Sequence, residues 1–258
     1  MSRINDIQTL ASFLIFLTII TVLSLLGLYF FKNVVGSQYY CTDANNIVSI
    51  FVAIVSVFLG VLISFLIVTV WGEYSAAGLS DEREAQDLYL LYSTVFTLPN
   101  SENILDLIIE YTEYLINVEF PAGNVGNAIL DEGGEVLQNL QQALYNYVPR
   151  GTHQFVIYNK GLDILDRVIE SRVNRLYDAS GSISWIMWGV TIIDSILIIV
   201  MTWFLNCEGF FHYLLVLIIA IYVASGIFLI YVFSYPYTGY LALTPEPFQK
   251  ALNNMLKL

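Results

Sequence analysis

Four long apolar stretches decide what this chain can become. They cover residues 10–31, 47–71, 182–205 and 211–234. Each is about 20 or more residues long, enough for an α-helix to cross a ~30 Å hydrocarbon core. The first is too long for a secretion signal, and Lys32 and Asn33 follow it where a small-residue cleavage site would stand. It is expected to remain as an anchor. The chain is 57% hydrophobic and only 12% charged, whereas a soluble domain carries about 25% charged residues. Tyr29, Trp71, Trp185, Trp188, Trp203, Tyr213 and Tyr231 stand near the ends of the stretches, where amphipathic rings settle at a membrane–water interface.

Lys and Arg placement sets the expected orientation. The two short loops between paired spans, 32–46 and 206–210, hold one basic residue, Lys32. The other nine are Arg3, six between Gly72 and Gly181, Lys250 and Lys257. Both termini and the middle segment are therefore expected in the cytoplasm, with Arg167, Arg172 and Arg175 ahead of the third span as the strongest local signal. The expected regions are a first membrane pair (1–71), an acidic middle segment (72–181), a second membrane pair (182–234) and a cytoplasmic tail (235–258). This topology puts Cys41 and Cys207 on the outer side. A disulfide in an oxidising compartment and two unrelated thiols are both open readings.

The middle segment carries 17 acidic and six basic residues, a net of −11, nearly all of the chain's −12. That balance argues against nucleic acid as a partner. Its periodicity is helical. Ile104, Ile108, Tyr111, Leu115 and Val118 make one stripe between Pro99 and Pro121, with Glu102, Asp106, Glu110 and Glu113 off it. Phe155, Tyr158, Leu162, Leu165, Ile169 and Leu176 make another, a shorter helical stretch spans about 134–148, and the segment from Glu73 continues the second span. No segment alternates with period two, so the fold expected is all-α. Most acidic residues read as a solvated face. Asp131, Glu132 and Glu135 in "LDEGGEV" are weak calcium candidates, since their spacing lacks the EF-hand pattern. No other metal site, no cofactor motif and no catalytic signature stands out, and this topology separates His153 from His212 by the membrane. An enzyme is not expected.

An ordered set of segments carries a family resemblance: "EREAQDLYLLYSTVFTLP", "EYTEYLINVEFP", "RVNRLYDA" before the third span, and "YPYTGYLALTPEPFQKAL" after the fourth. In this order they resemble the bestrophin-like family of four-span membrane proteins, from the second span to Phe248. The resemblance implies four spans, a helical cytoplasmic part and a homo-oligomer around a central ion pathway. Bestrophins are ion channels, generally for anions, with some bacterial members passing cations.

Within the spans one residue breaks the apolar rule, Asp194. Charge at mid-bilayer costs about 2.5–3.5 kcal/mol on insertion scales, so Asp194 is expected to face protein or water. Ser184, Thr191, Ser195 and Thr202 lie near its face. Ser56 and Gly60 flank the same depth on the second span. A hydrogen-bonded packing role and an ion-path role both stand. Ser49, Ala53, Ser56, Gly60 and Ser64 form a small-residue stripe, suited to close helix packing or to a pore wall. Phe51, Phe58 and Phe65 recur every seven residues on a face read as neighbouring. They are expected in lipid or core, or, in a ring of subunits, as a constriction that gates by dewetting. The pore or gate candidates are thus Ser56, Phe58, Gly60, Phe65 and Asp194. The reading is an oligomeric channel for small inorganic ions in a lipid bilayer. The alternative is a non-conducting scaffold that docks a partner on its acidic helices; a secondary transporter fits four spans without an inverted repeat less well.

Overall fold

The computed structural model describes residues 2–35, 42–122, 127–178, 183–205, 209–239 and 241–258. Among them every regular element is helical. The chain divides into two compact units. One comprises Met1–Glu73 and Ser182–Ser234, the other Tyr74–Gly181 and Tyr235–Leu258.

The first unit contains α1 (Ser2–Val35), the start of α2 (Thr42–Val95), α7 (Trp185–Trp203) and α8 (Phe210–Phe233). All four helices are long and apolar enough to cross a membrane, as expected. α7 begins where the Ser184 hydroxyl accepts the Ile186 N–H at 3.2 Å, capping a free backbone donor. The core joins Leu59, Ile63 and Leu66 of α2 to Ile198 of α7 and to Val223 and Ile230 of α8. α1 lies along α8, with the Phe13 and Phe228 rings 5.0 Å apart.

Lipid tails are as apolar as leucine, so these helices hold together by close packing rather than by escape from water. Gly226 shows the device: a Cβ there would stand 2.8 Å from Cγ2 of Ile63. Gly226→Leu is therefore expected to cost about 1–3 kcal/mol through overpacking, read as a lower thermal midpoint in detergent. An unchanged midpoint would show that α2 and α8 do not meet there.

The second unit contains the rest of α2, α3 (Glu102–Tyr114), a wide π-helical turn (Leu115–Glu119), α4 (Phe120–Ala122), α5 (Asn127–Tyr145), α6 (Thr152–Asp178) and α9 (Glu246–Met255). α2 is one helix of 54 residues, about 80 Å at 1.5 Å per residue, so it continues well beyond a bilayer's hydrocarbon. The unit's core takes Leu88, Leu91 and Val95 from α2, Ile104, Ile108 and Tyr111 from α3, Leu137, Leu140 and Leu144 from α5, Ile164, Leu165 and Val168 from α6, and Phe248, Ala251 and Met255 from α9.

Three details depart from the sequence expectation. Val118 is exposed and Glu119 is buried in its place, because the π turn carries one extra residue and rotates the following positions. On α6, Phe155 is exposed, and the inward line runs through Ile164, Leu165 and Val168 to Arg172 and Arg175. The tail forms α9, with Pro247 in its first turn, where a missing N–H costs nothing.

Candidate functional site

The site candidates in the first unit fall on two helices. On α2, Ser56, Phe58 and Phe65 are exposed and Gly60 is half-buried. A Cβ at Gly60 would touch Tyr222 Oη of α8 at 3.4 Å, so at this position the small-residue stripe lies near α8 of the same chain. Ser56 and Ser64 donate to their own helix, to the carbonyls of Val52 (2.5 Å) and Gly60 (2.7 Å). The aromatic stripe is not on a neighbouring face. At 3.6 residues per turn, Phe58 stands about 200° around the helix from Ser56. The buried face of Leu59, Ile63 and Leu66 lies to one side of both stripes, and the exposed arc between them carries Ile50, Val57, Val61 and Val68.

On α7, Thr191, Ser195, Ile198 and Thr202 are buried, so this face is covered within the chain. Thr191 and Ser195 return their hydroxyls to the carbonyls of Met187 and Thr191. Asp194 borders the same face. It is half-buried, and its Oδ2 is shielded with no hydrogen-bond partner among the described residues. Ser56, its depth-matched candidate partner, is turned to Val52 instead. Cys41 and Cys207 lie outside the described residues. Glu132 and Glu135 are exposed on successive turns of α5, and the side chain of Asp131 lies outside the described set.

The second unit holds a buried constellation of charges, although most of its acidic residues were expected on a solvated face. Asp81, Glu84, Glu119, Arg172 and Arg175 are each between 0% and 4% exposed. Arg175 donates through Nε to Glu84 Oε2 at 2.8 Å and through Nη1 to Glu119 Oε1. Arg172 donates through Nη1 to Glu119 Oε2 at 2.9 Å and to the Tyr111 hydroxyl at 3.1 Å. Tyr111 in turn donates to Glu84 Oε1 at 2.7 Å, and Tyr237 donates to Asp81 Oδ1 at 2.9 Å. Gly133 of α5 makes room: a Cβ there would stand 2.6 Å from Glu119 Oε2 and 2.8 Å from Arg172 Nη2. The stretch "LDEGGEV" thus contributes a close approach to the buried charges.

Burial alone would lower the Arg175 guanidinium, but Glu84 and Glu119, with Tyr111, outweigh it and hold it well above its ordinary value. Burial, then the Glu84 carboxylate, push Tyr111 well above the usual phenol range, against the pull of Arg172 and Arg175. Burial and Asp81 do the same to Tyr237. The arrangement is a buried clasp in which three carboxylates, Asp81, Glu84 and Glu119, face two guanidiniums and two phenol hydroxyls. It joins α2, α3 with its π turn, α6 and the segment after α8.

The Bestrophin-like domain model matches residues 18–248. The chain belongs to the Bestrophin-like family. In this bestrophin-like chain the match begins at Thr18 in α1 and ends at Phe248 in α9, so it takes in both units and every member of the clasp. Among solved structures, a crystal structure described as a membrane protein carrying one substitution aligns with a TM-score of 0.64 at 10% identity, over 95% of this chain and 96% of that chain. A bacterial bestrophin homologue from Klebsiella pneumoniae, crystallised as a point mutant, aligns with a TM-score of 0.57 at 11% identity, over 95% of this chain and 97% of that chain. A second mutant of a K. pneumoniae bestrophin homologue gives 0.55 at 10% identity, over 97% and 98%. These alignments establish a shared fold over nearly the whole bestrophin-like chain. No curated protein matches it by sequence.

The raised tyrosines give the bestrophin-like chain an alkaline limit. The unfolded chain releases the phenol protons near pH 10, and the folded chain keeps them. The stability they contribute is complete below that pH and falls above it, by about 1.4 kcal/mol per pH unit for each group. Denaturation between about pH 9 and 11.5 should show this slope, and Tyr237→Phe should make it shallower. The same slope in Tyr237→Phe would mean that Tyr237 titrates freely.

Proposed function

We propose that the chain is a subunit of an oligomeric ion channel in which α2 borders a central pathway for small inorganic ions. Family membership across both units carries this reading. The exposed apolar face of α2, from Ile47 to Val68, supports it, since assembly can use that face. Gly60 sits against α8, so Phe51, Phe58 and Phe65 are the stripe proposed to face the pathway. Rings of phenylalanine would close it by expelling water. Phe58→Ala combined with Phe65→Ala is expected to raise salt efflux from proteoliposomes severalfold while the oligomer still assembles. Efflux equal to wild type would place the aromatic stripe in lipid. The direct test of the function is efflux itself: a salt gradient should dissipate faster from vesicles holding the wild-type protein than from empty ones, and equal rates would refute conduction.

The termini and second unit are proposed to lie in the cytoplasm. Arg172 and Arg175 are neutralised within the clasp, yet seven basic residues remain on that side against Lys32 on the other. Labelling of the second unit from outside intact cells would reverse this orientation. Acidic helices at an inner mouth would concentrate cations, while the bestrophin resemblance favours anions; the reversal potential decides between them. One observation favours the scaffold reading: Glu102, Asp106, Glu110 and Glu113 form an exposed acidic edge on α3.

A further inference from the structure

Trp203 ends α7, where an aromatic belt would present its indole to the membrane–water interface. The ring turns inward instead. A Cβ at Gly27 of α1 would overlap Trp203 Cη2 and Cζ2 and would stand 3.4 Å from Cε2. Glycine leaves room for the ring, and the Phe31 ring of the same helix lies 6.2 Å from it, centroid to centroid. Nε1 is bonded to Cε2, so it lies within about 5 Å of where that Cβ would stand. This nitrogen is shielded from solvent and has no hydrogen-bond partner among the described residues. Ser24 stands on the same face of α1, one turn before Gly27. It is 4% exposed, and its hydroxyl also has no partner among the described residues. A helical serine or threonine can return its hydroxyl to the carbonyl one turn back. Thr18 and Thr21 on α1 and Thr191 and Ser195 on α7 do so. Ser24 leaves that bond unmade. Two buried polar groups on facing helices therefore each need a partner, about one turn apart. In hydrocarbon an unpaired donor is costly, because no bulk water can serve it.

We propose that a water molecule binds between α1 and α7, accepting from the Trp203 indole and bonding to the Ser24 hydroxyl. The two groups define the chemistry of the guest. Indole N–H can only donate, so the guest must offer an acceptor. A serine hydroxyl donates or accepts, and water does both. An anion also offers acceptors, but both protein groups are neutral, and burying an unpaired charge costs far more than burying a neutral molecule. Buried waters are placed by about two to four polar partners, and these two side chains supply the minimum. Apolar packing alone gives little direction to a joint between membrane helices. A bridge with two fixed ends would set the register of α1 against α7.

Thermal unfolding in detergent tests this, because a bridged and an unbridged Ser24 give opposite signs. With the bridge, Ser24→Ala strands the indole N–H and its guest, and the midpoint should fall by about 3 °C or more. Without it, Ser24→Ala removes an unpaired hydroxyl, and the midpoint should rise. Made on Trp203→Phe, the same change should cost much less, since phenylalanine has no N–H to bridge. A rise or no change in Ser24→Ala, or an equal fall in both backgrounds, would overturn the proposal. Vibrational spectroscopy reads the indole itself. With Trp71→Phe, Trp185→Phe and Trp188→Phe, Trp203 is the one tryptophan left. Its ultraviolet resonance Raman spectrum should show a hydrogen-bonded N–H that becomes free on adding Ser24→Ala. An N–H already free before that change would contradict the bridge. So would a midpoint that rises with chloride or bromide in the wild type and not in Ser24→Ala, since that marks the guest as an anion.

Discussion

Arg175→Met should destabilise the second unit by about 3–5 kcal/mol, the cost of leaving a buried ion pair without one partner. The guanidinium meets Glu84 and Glu119 at 4% exposure, so its removal leaves the buried Glu84 carboxylate without a cation and Glu119 with Arg172 alone. Methionine keeps much of the volume, which isolates the charge effect from cavity formation. Unfolding monitored in detergent should show the loss. Adding Glu84→Gln should recover part of it, because glutamine still accepts from Tyr111 and carries no charge. A single mutant as stable as wild type would mean that the clasp is hydrated and its charges are screened. Arg167 provides the contrast. Its contact with Asp87 is 3.0 Å long, but the arginine side chain is 48% exposed, and exposed pairs contribute only about 0–1 kcal/mol.

Asp194→Leu should raise stability and impair conduction together. A carboxylate that serves packing ordinarily has its hydrogen bonds made, and Oδ2 of Asp194 has none among the described residues. It therefore carries an insertion cost of about 2.5–3.5 kcal/mol that its protein neighbours do not offset. Leucine removes that cost, so the thermal midpoint should rise. If the carboxylate serves the ion path through water at its accessible edge, current should fall or its selectivity should change. Asp194→Asn, which keeps the size and removes the charge, should alter selectivity without preventing assembly. Wild-type currents in both variants would assign Asp194 to packing alone.

The membrane helices were legible because length and apolarity are properties of each stretch by itself. The run from residue 10 is a helix, and the charged continuation after Trp71 belongs to the same helix as the second span. The clasp was not legible for the opposite reason. Glu84 and Arg175 are separated by 91 positions and Glu119 and Arg175 by 56, and periodicity within one helix carries no information on which distant side chains meet. Arg172 and Arg175 counted as orientation signals for their charge, and the structure adds that both are buried. Val118 was misplaced because the stripe was extended at constant α-helical phase across a turn that adds a residue. A sequence signal did exist for α9: Phe248, Ala251 and Met255 follow helical spacing after Thr244 and Pro245, but the stretch is short beside the spans. The two faces of α2 were conflated by counting residues along the helix without converting two positions into about 200°.

The most direct test is current through planar bilayers holding the purified protein between unequal potassium chloride solutions. Discrete, reproducible single-channel steps are expected, with a reversal potential displaced from zero toward the potassium or the chloride equilibrium value. Silent bilayers, with the protein shown to be inserted and assembled, would contradict the channel reading and leave the membrane scaffold in its place.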